Sequence, residues 1–269
     1  MKHVPASFEA ILLDEELQAE RVLVAWWTAF RRAPPMTTGL TLACVLVHAL
    51  SGWVDLRLRG FSPWMMLFGV RGPEALIAVG GRSGARVLDG ELWRLFSSLF
   101  VHGDLLHIGM NGVALFGLGR LCEAVYGPTR LLTLFLACGL CGSLLSQAGG
   151  TPLSVGASGS VFGLLGAGVV FGLRHRALLA PPLRSVFGQG LLPWVALNLA
   201  IGFVIPGIDN LGHIGGLLGG LLAGLILQPR VLPEQRQSGL WTGVMAALCA
   251  LTLGWTGLEM LASTAAALP

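Results

Sequence analysis

The sequence predicts an all-α fold, a polytopic bundle of transmembrane helices. Three observations point there. Only 12% of the 269 residues are charged and 54% are hydrophobic, whereas a soluble domain carries about 25% charged residues. The apolar residues lie in long blocks without amphipathic alternation, and blocks of ~20 read as membrane spans. The blocks follow one another through short connections, so one bundle is a simpler reading than two domains.

Seven blocks meet that description: 37–55, 104–122, 129–148, 157–173, 186–205, 210–228 and 240–262. Lysine and arginine bias orients them. Arg31 and Arg32 precede the first span, and Arg120 and Arg130 flank the second connection. Arg174, Arg176 and Arg184 lie in the fourth, Arg230 and Arg236 in the sixth. The third connection (149–156) is uncharged and the fifth (206–209) holds only Asp209. This pattern puts the N-terminus in the cytoplasm. The first connection (56–92) is arginine-rich against the pattern, but long loops obey the rule weakly. Its apolar stretch from Trp64 to Val70 reads as a segment lying in the membrane interface.

Three regions follow. Residues 1–35 form an N-terminal cytosolic or interfacial segment, in which Phe8 to Arg32 reads as an amphipathic helix. Residues 36–228 form the core, and 229–269 a linker with an appended transmembrane helix. The first 35 residues are too acidic for a cleavable signal peptide. Gly202 and Pro206 would permit bending of the fifth span.

Other classes are disfavoured. The net charge of +3 comes with no basic patch interleaved with aromatics, so no nucleic acid is expected. The cysteines, Cys44, Cys122, Cys138, Cys141 and Cys249, lack metal-ligand spacing and read as small buried apolar side chains. No internal repeat suggests an inverted-repeat transporter. No metal or cofactor is expected. The expected partners are the lipid bilayer and the transmembrane segments of other proteins.

Polar groups inside a bilayer are costly and mark function. Here they form a short set: His102, His107, Asn111, Ser158 and His213. Ser158 stands in Gly156-Ala-Ser158-Gly159 at the start of an apolar block, where flanking glycines leave its hydroxyl unobstructed. A helix N-terminus offers unpaired N–H groups to a developing oxyanion. A serine in a membrane helix ordinarily bonds back to a carbonyl; as a nucleophile it needs a base. His213, in Gly212-His-Ile-Gly-Gly216, is the candidate. It opens the sixth span from the same side, which puts the two at similar depth. Glycines at 212, 216, 220 and 224, and small residues at 159, 163 and 167, share a four-residue period that lets helices approach closely. His107 and Asn111 are i, i+4, so both face one way and could donate to an oxyanion, with His102 supporting them. With Asp209 in the loop, a serine–histidine dyad is the economical reading.

These motifs, in this order, resemble the rhomboid intramembrane proteases from about residue 37 to 228. The shared features are Trp93-Arg94 in the first loop, His102, His107 and Asn111 at the second span, Gly-Ala-Ser158-Gly at the fourth and Gly-His213-Ile-Gly-Gly at the sixth. The resemblance implies a rhomboid-like six-helix core plus a seventh C-terminal helix. It implies Ser158 as nucleophile and His213 as base, with His107, Asn111 and the Ser158 N–H as oxyanion hole. Arg94 and Glu123 match family positions that hold the first loop. Phe162 stands where many members carry a tyrosine against the histidine. The implied activity is that of a serine endopeptidase cutting single-span membrane proteins in or beside the span; the short loops and lack of organelle signals fit a bacterial inner membrane. The alternatives are a catalytically silent rhomboid-like factor that binds membrane spans, or a transporter.

Overall fold

The computed structural model describes residues 6–60, 63–232 and 239–268. Arg236, used above for orientation, lies outside them. The described residues are mainly helical. Helices α1 (Ala6–Arg31) and α2 (Pro35–Arg59) lead into a long first loop. That loop carries α3 (Pro63–Phe68), α4 (Pro73–Ala78), β1 (Arg82–Ser83), α5 (Gly84–Leu88) and α6 (Arg94–Ser97). Then come α7 (Leu105–Tyr126), α8 (Pro128–Ala148), β2 (Leu153–Ser154), α9 (Ser158–Arg174), α10 (Pro181–Val186), α11 (Leu192–Val204), α12 (Asn210–Ile226) and α13 (Gly239–Ala267).

Local chemistry sets the ends. Proline occupies the first helical position of α2 and α8, where its missing N–H removes a donor that would have no partner in the helix. Gly60 closes α2 at φ +67°, with its N–H on the Leu56 carbonyl. Asp104 caps α7 by accepting the His107 N–H, and Asp209 caps α12 by accepting that of Gly212.

Among the described residues, five helical stretches are long and apolar enough to cross a membrane: 13–59, 105–126, 128–148, 181–204 and 239–267. Helices α9 and α12, which carry Ser158 and His213, have 17 residues each. At ~1.5 Å per residue they fall short of a hydrocarbon core of about 30 Å.

The fifth span departs from the continuous helix expected over 186–205. It is broken into α10, a 3-10 turn at Gly188–Leu191, and α11. Gly188 adopts φ +66° and lies against Gly172 of α9, a backbone approach that no side chain would allow. Its other end matches the sequence: Ile205 is extended, as a residue before proline prefers, and α11 stops at Val204.

Helix α12 is wedged between α8 and α9. A methyl group on Gly216 would meet the Gly159 carbonyl, and one on Gly220 the carbonyl of Gly163. On the other face, a methyl on Gly215 would lie 2.6 Å from the Cys141 carbonyl, and one on Gly219 3.0 Å from the Cys141 side chain. Main chains thus touch on both sides of α12, the dense van der Waals packing by which helices associate in lipid. The sequence showed the α9 seam but not the α8 one. Four of the cysteines are buried as expected; Cys141 is instead exposed.

Helix α1 lies on α7 and the turn after α9. Trp26 is buried while Trp27 is exposed, and the Arg120 guanidinium donates to the Phe30 carbonyl at 2.9 and 3.1 Å. In the first loop, Trp64 and Phe68 project outward. Strand β1 pairs antiparallel with β2, Arg82 opposite Ser154, which ties the first loop to the segment preceding Ser158. The end of α13 also docks on the first loop, Thr264 Oγ1 donating to the Ala78 carbonyl at 3.3 Å.

Candidate active site

Ser158 opens α9 and is half-buried; His213 lies in the first turn of α12 and is buried. Their helices meet along the glycine seam, and His213 Nε2 stands 2.9 Å from Ser158 Oγ. The imidazole stacks on Phe162, one turn along α9 from Ser158, with centroids 4.4 Å apart and planes inclined by 21°. Among the described residues, no hydrogen-bond partner meets His213 Nδ1. Packing against Phe162, rather than a carboxylate, therefore sets the ring plane.

Asp209 is occupied elsewhere. One carboxylate oxygen accepts the Gly212 N–H at 3.0 Å. The other accepts the hydroxyls of Ser154, at 2.6 Å, and Ser146. Ser146 also accepts from Arg82 at 2.9 Å, and Arg82, fully buried, reaches Gln147 Oε1 at 2.7 Å and the Thr151 carbonyl at 3.1 Å. Burial lowers the Arg82 pKa and the Asp209 charge raises it. This network joins β1, the end of α8, β2 and the start of α12. Sequence reading missed it, although an aspartate just before an apolar helix is a capping signal.

The second cluster lies on the other side of Ser158. His102 precedes α7 and is fully buried. Its Nδ1 donates to the Phe100 carbonyl at 3.1 Å, so its Nε2 is free to accept the Ala157 N–H at 3.4 Å. Burial first, and then the neighbouring His107, push the His102 pKa down to about 3, in keeping with a neutral ring. His107 accepts the Gly103 N–H on Nδ1 at 3.4 Å, which leaves its proton on Nε2. That nitrogen faces Gly156, where a Cβ would lie 2.7 Å from it. Gly156 has φ +120°, so both backbone and space demand glycine. Asn111 is buried, and its amide donates back to the His107 carbonyl at 3.1 Å, along its own helix, while bordering Gly156.

Trp93 and Arg94 are both buried in the first loop. Arg94 donates to Glu91 at 2.6 Å, to the Ile77 and Gly81 carbonyls at 2.5 and 3.2 Å, and to Ser263 of α13 at 3.3 Å. It thus fastens the loop to itself and to the seventh helix. Glu123 corrects the expectation that it holds the first loop. It sits at the opposite end of α7 from His107 and accepts the N–H groups of Met36 and Thr37, at 3.1 and 2.8 Å, and the Thr37 hydroxyl at 2.6 Å. A carboxylate there satisfies the first-turn donors of α2. Gly159, Gly212 and Gly216 all lie in the α8–α9–α12 packing. Among the described residues no group of histidine, cysteine or carboxylate side chains could hold a metal ion.

The fold is that of a multi-pass integral membrane protein, and its polar residues gather where α9 and α12 begin. The Rhomboid domain model matches residues 89–230, and the chain belongs to the rhomboid family. It is 37% identical to the Rhomboid protease GluP of Bacillus subtilis over 145 residues, 54% of this chain and 28% of that protein. It is 37% identical to RHOMBOID-like protein 5 of Arabidopsis thaliana over 135 residues, 49% of this chain and 43% of the relative. RHOMBOID-like protein 4 of the same plant is 38% identical over 149 residues, 54% and 37% of the two chains. The chain thus spans about a quarter to a half of the length of these relatives.

Proposed function

We propose that this chain is an intramembrane serine endopeptidase using Ser158 as nucleophile and His213 as general base. The observation that carries the reading is the 2.9 Å contact between Ser158 Oγ and His213 Nε2 within a rhomboid-family bundle. With its proton on Nδ1, His213 accepts from the serine hydroxyl. Ser158 Oγ attacks the scissile carbonyl carbon as its proton passes to His213 Nε2. The oxyanion is met by the Nε2–H of His107 and by the Ser158 N–H, unpaired in the first turn of α9. Asn111 contributes once its amide turns from the His107 carbonyl. His213 then protonates the leaving amine, and a water activated by the same imidazole releases the acyl-enzyme. No step needs a metal or cofactor.

The substrates are single-span membrane proteins cut in or beside the span. Helical backbone hides its carbonyls, so residues with low helix propensity near the cut favour it. The arginine pattern supports an orientation with the N-terminus in the cytoplasm and the Ser158 end of the bundle outside, and the short connections fit a bacterial inner membrane. The test is cleavage of a single-span reporter by purified protein in lipid. Wild type should cut, and Ser158→Ala and His213→Ala should not, while remaining folded. Equal cutting by Ser158→Ala would overturn the assignment.

A further inference from the structure

Next to the candidate site lies a buried cluster in the first span and first loop that the steps above do not use. His48 of α2 and Arg71 of the first loop are both buried. Arg71 Nη2 lies 3.1 Å from His48 Nε2. A guanidinium only donates, so Nε2 accepts and the imidazole proton resides on Nδ1. That proton points at the His102 carbonyl, 3.3 Å away. The Arg71 backbone N–H meanwhile donates to the next carbonyl, that of Gly103, at 2.8 Å. Arg71 is itself held by the Ser51 hydroxyl at 3.3 Å and by the Met65 and Gly69 carbonyls at 3.0 and 2.8 Å.

Both carbonyls of the His102-Gly103 pair are thus gripped from one side. The groups facing the other way bear on the site. The His102 ring accepts the N–H of Ala157, adjacent to Ser158. The Gly103 N–H enters His107 Nδ1 and thereby fixes which nitrogen of His107 presents a proton toward Gly156.

We propose that His48 and Arg71 are positioning residues for the oxyanion donors: they hold the His102-Gly103 segment so that the His107 Nε2–H and the N–H groups at the start of α9 face the reacting carbonyl. The inference rests on the Ser158–His213 reading. Neither residue touches substrate. Losing the clamp therefore slows the chemical step and leaves substrate binding alone.

The test uses the full chain in liposomes, a single-span fluorogenic reporter, and a peptide aldehyde that Ser158 captures as a tetrahedral adduct. His48→Phe keeps a flat ring but removes both nitrogens. His48→Asn keeps a donor near the Nδ1 position. His48→Phe should lose about tenfold in kcat at unchanged KM, one hydrogen bond's worth, and lose aldehyde affinity in the same ratio. His48→Asn should recover most of both. If His48→Phe does not fold, Arg71→Gln, which keeps the backbone bond to Gly103, should be slow while His48→Asn is fast. A His48→Phe protein with wild-type kcat, or one whose loss appears in KM, or an Asn variant as slow as Phe, overturns the proposal. Ser158→Ala, assayed alongside, separates the two readings. If it is dead and His48→Phe is normal, only the clamp fails; if it is active, both fall.

Discussion

Phe162 and His213 lie face to face, 4.4 Å between ring centroids, although they belong to different helices. The phenyl ring spans the α9–α12 seam from one side and leaves the Nε2 edge of the imidazole turned to Ser158. A tyrosine in that place would add a hydroxyl without changing the stacked face. Phe162→Tyr should therefore cleave the reporter within about threefold of wild type, since the stack is retained. Phe162→Ala removes the stack, worth about 0.5–1.5 kcal/mol beyond the area it buries, and should cost roughly two- to tenfold in kcat/KM together with a lower Tm. Equal rates for all three would show that the ring does not set the imidazole plane.

The seam predicts a sharp contrast between glycines. Gly216→Ala would drive a methyl group into the Gly159 carbonyl, so stability should fall by about 1–3 kcal/mol with loss of cleavage. Gly117, in the middle of α7, has nothing within 4 Å of the same methyl position. Gly117→Ala should be neutral or stabilising by up to about 1 kcal/mol. Thermal unfolding of the two variants in one detergent compares them directly.

Asp209 links the cap of α12 to Ser146 and Ser154. Removing it in Asp209→Ala should cost about 1 kcal/mol for the lost cap, with a larger proportional loss of kcat because His213 lies in the turn that loosens. Asp209→Asn keeps a capping oxygen and should retain most activity. Were Ala and Asn variants equally impaired, the carboxylate charge rather than the cap would be the important property.

His102 gives a pH signature. Burial holds its folded-state pKa at about 3, below the ordinary 6.5. The unfolded chain therefore binds a proton that the folded chain excludes, and this residue erodes stability as pH falls from about 6.5 toward 3. His102→Gln lacks the titration. The Tm of wild type relative to the variant should decline over that window; a difference that does not change with pH would mean the ring is protonated without penalty.

Much of this was readable in the chain. The helical character of the apolar blocks was, because uninterrupted apolar runs leave little choice of structure, although the blocks of α9 and α12 proved shorter than a full crossing. The meeting of Ser158 and His213 was, because each stands among glycines at the start of such a block. Glu123 was assigned the wrong neighbour. Its sequence position places it on α7, but only the 22-residue length of that helix puts it at the far end, against the first turn of α2. The break in the fifth span depends on Gly188 fitting Gly172, a contact between segments that no local pattern announces. Strands β1 and β2, two residues each, are too short to show a period, so the Arg82–Ser146–Asp209 network that they align was hidden with them.

The α9–α12 seam has one more consequence. Backbone rests on backbone where Gly216 meets Gly159 and Gly220 meets Gly163. The separation of the Ser158 and His213 backbones is thus set by two tightly packed helix axes. The disorder that would otherwise oppose bringing hydroxyl and imidazole together has already been lost when the helices associate. What remains to be fixed is the rotation of the two side chains about their own bonds, and the Phe162 stack restrains one of them.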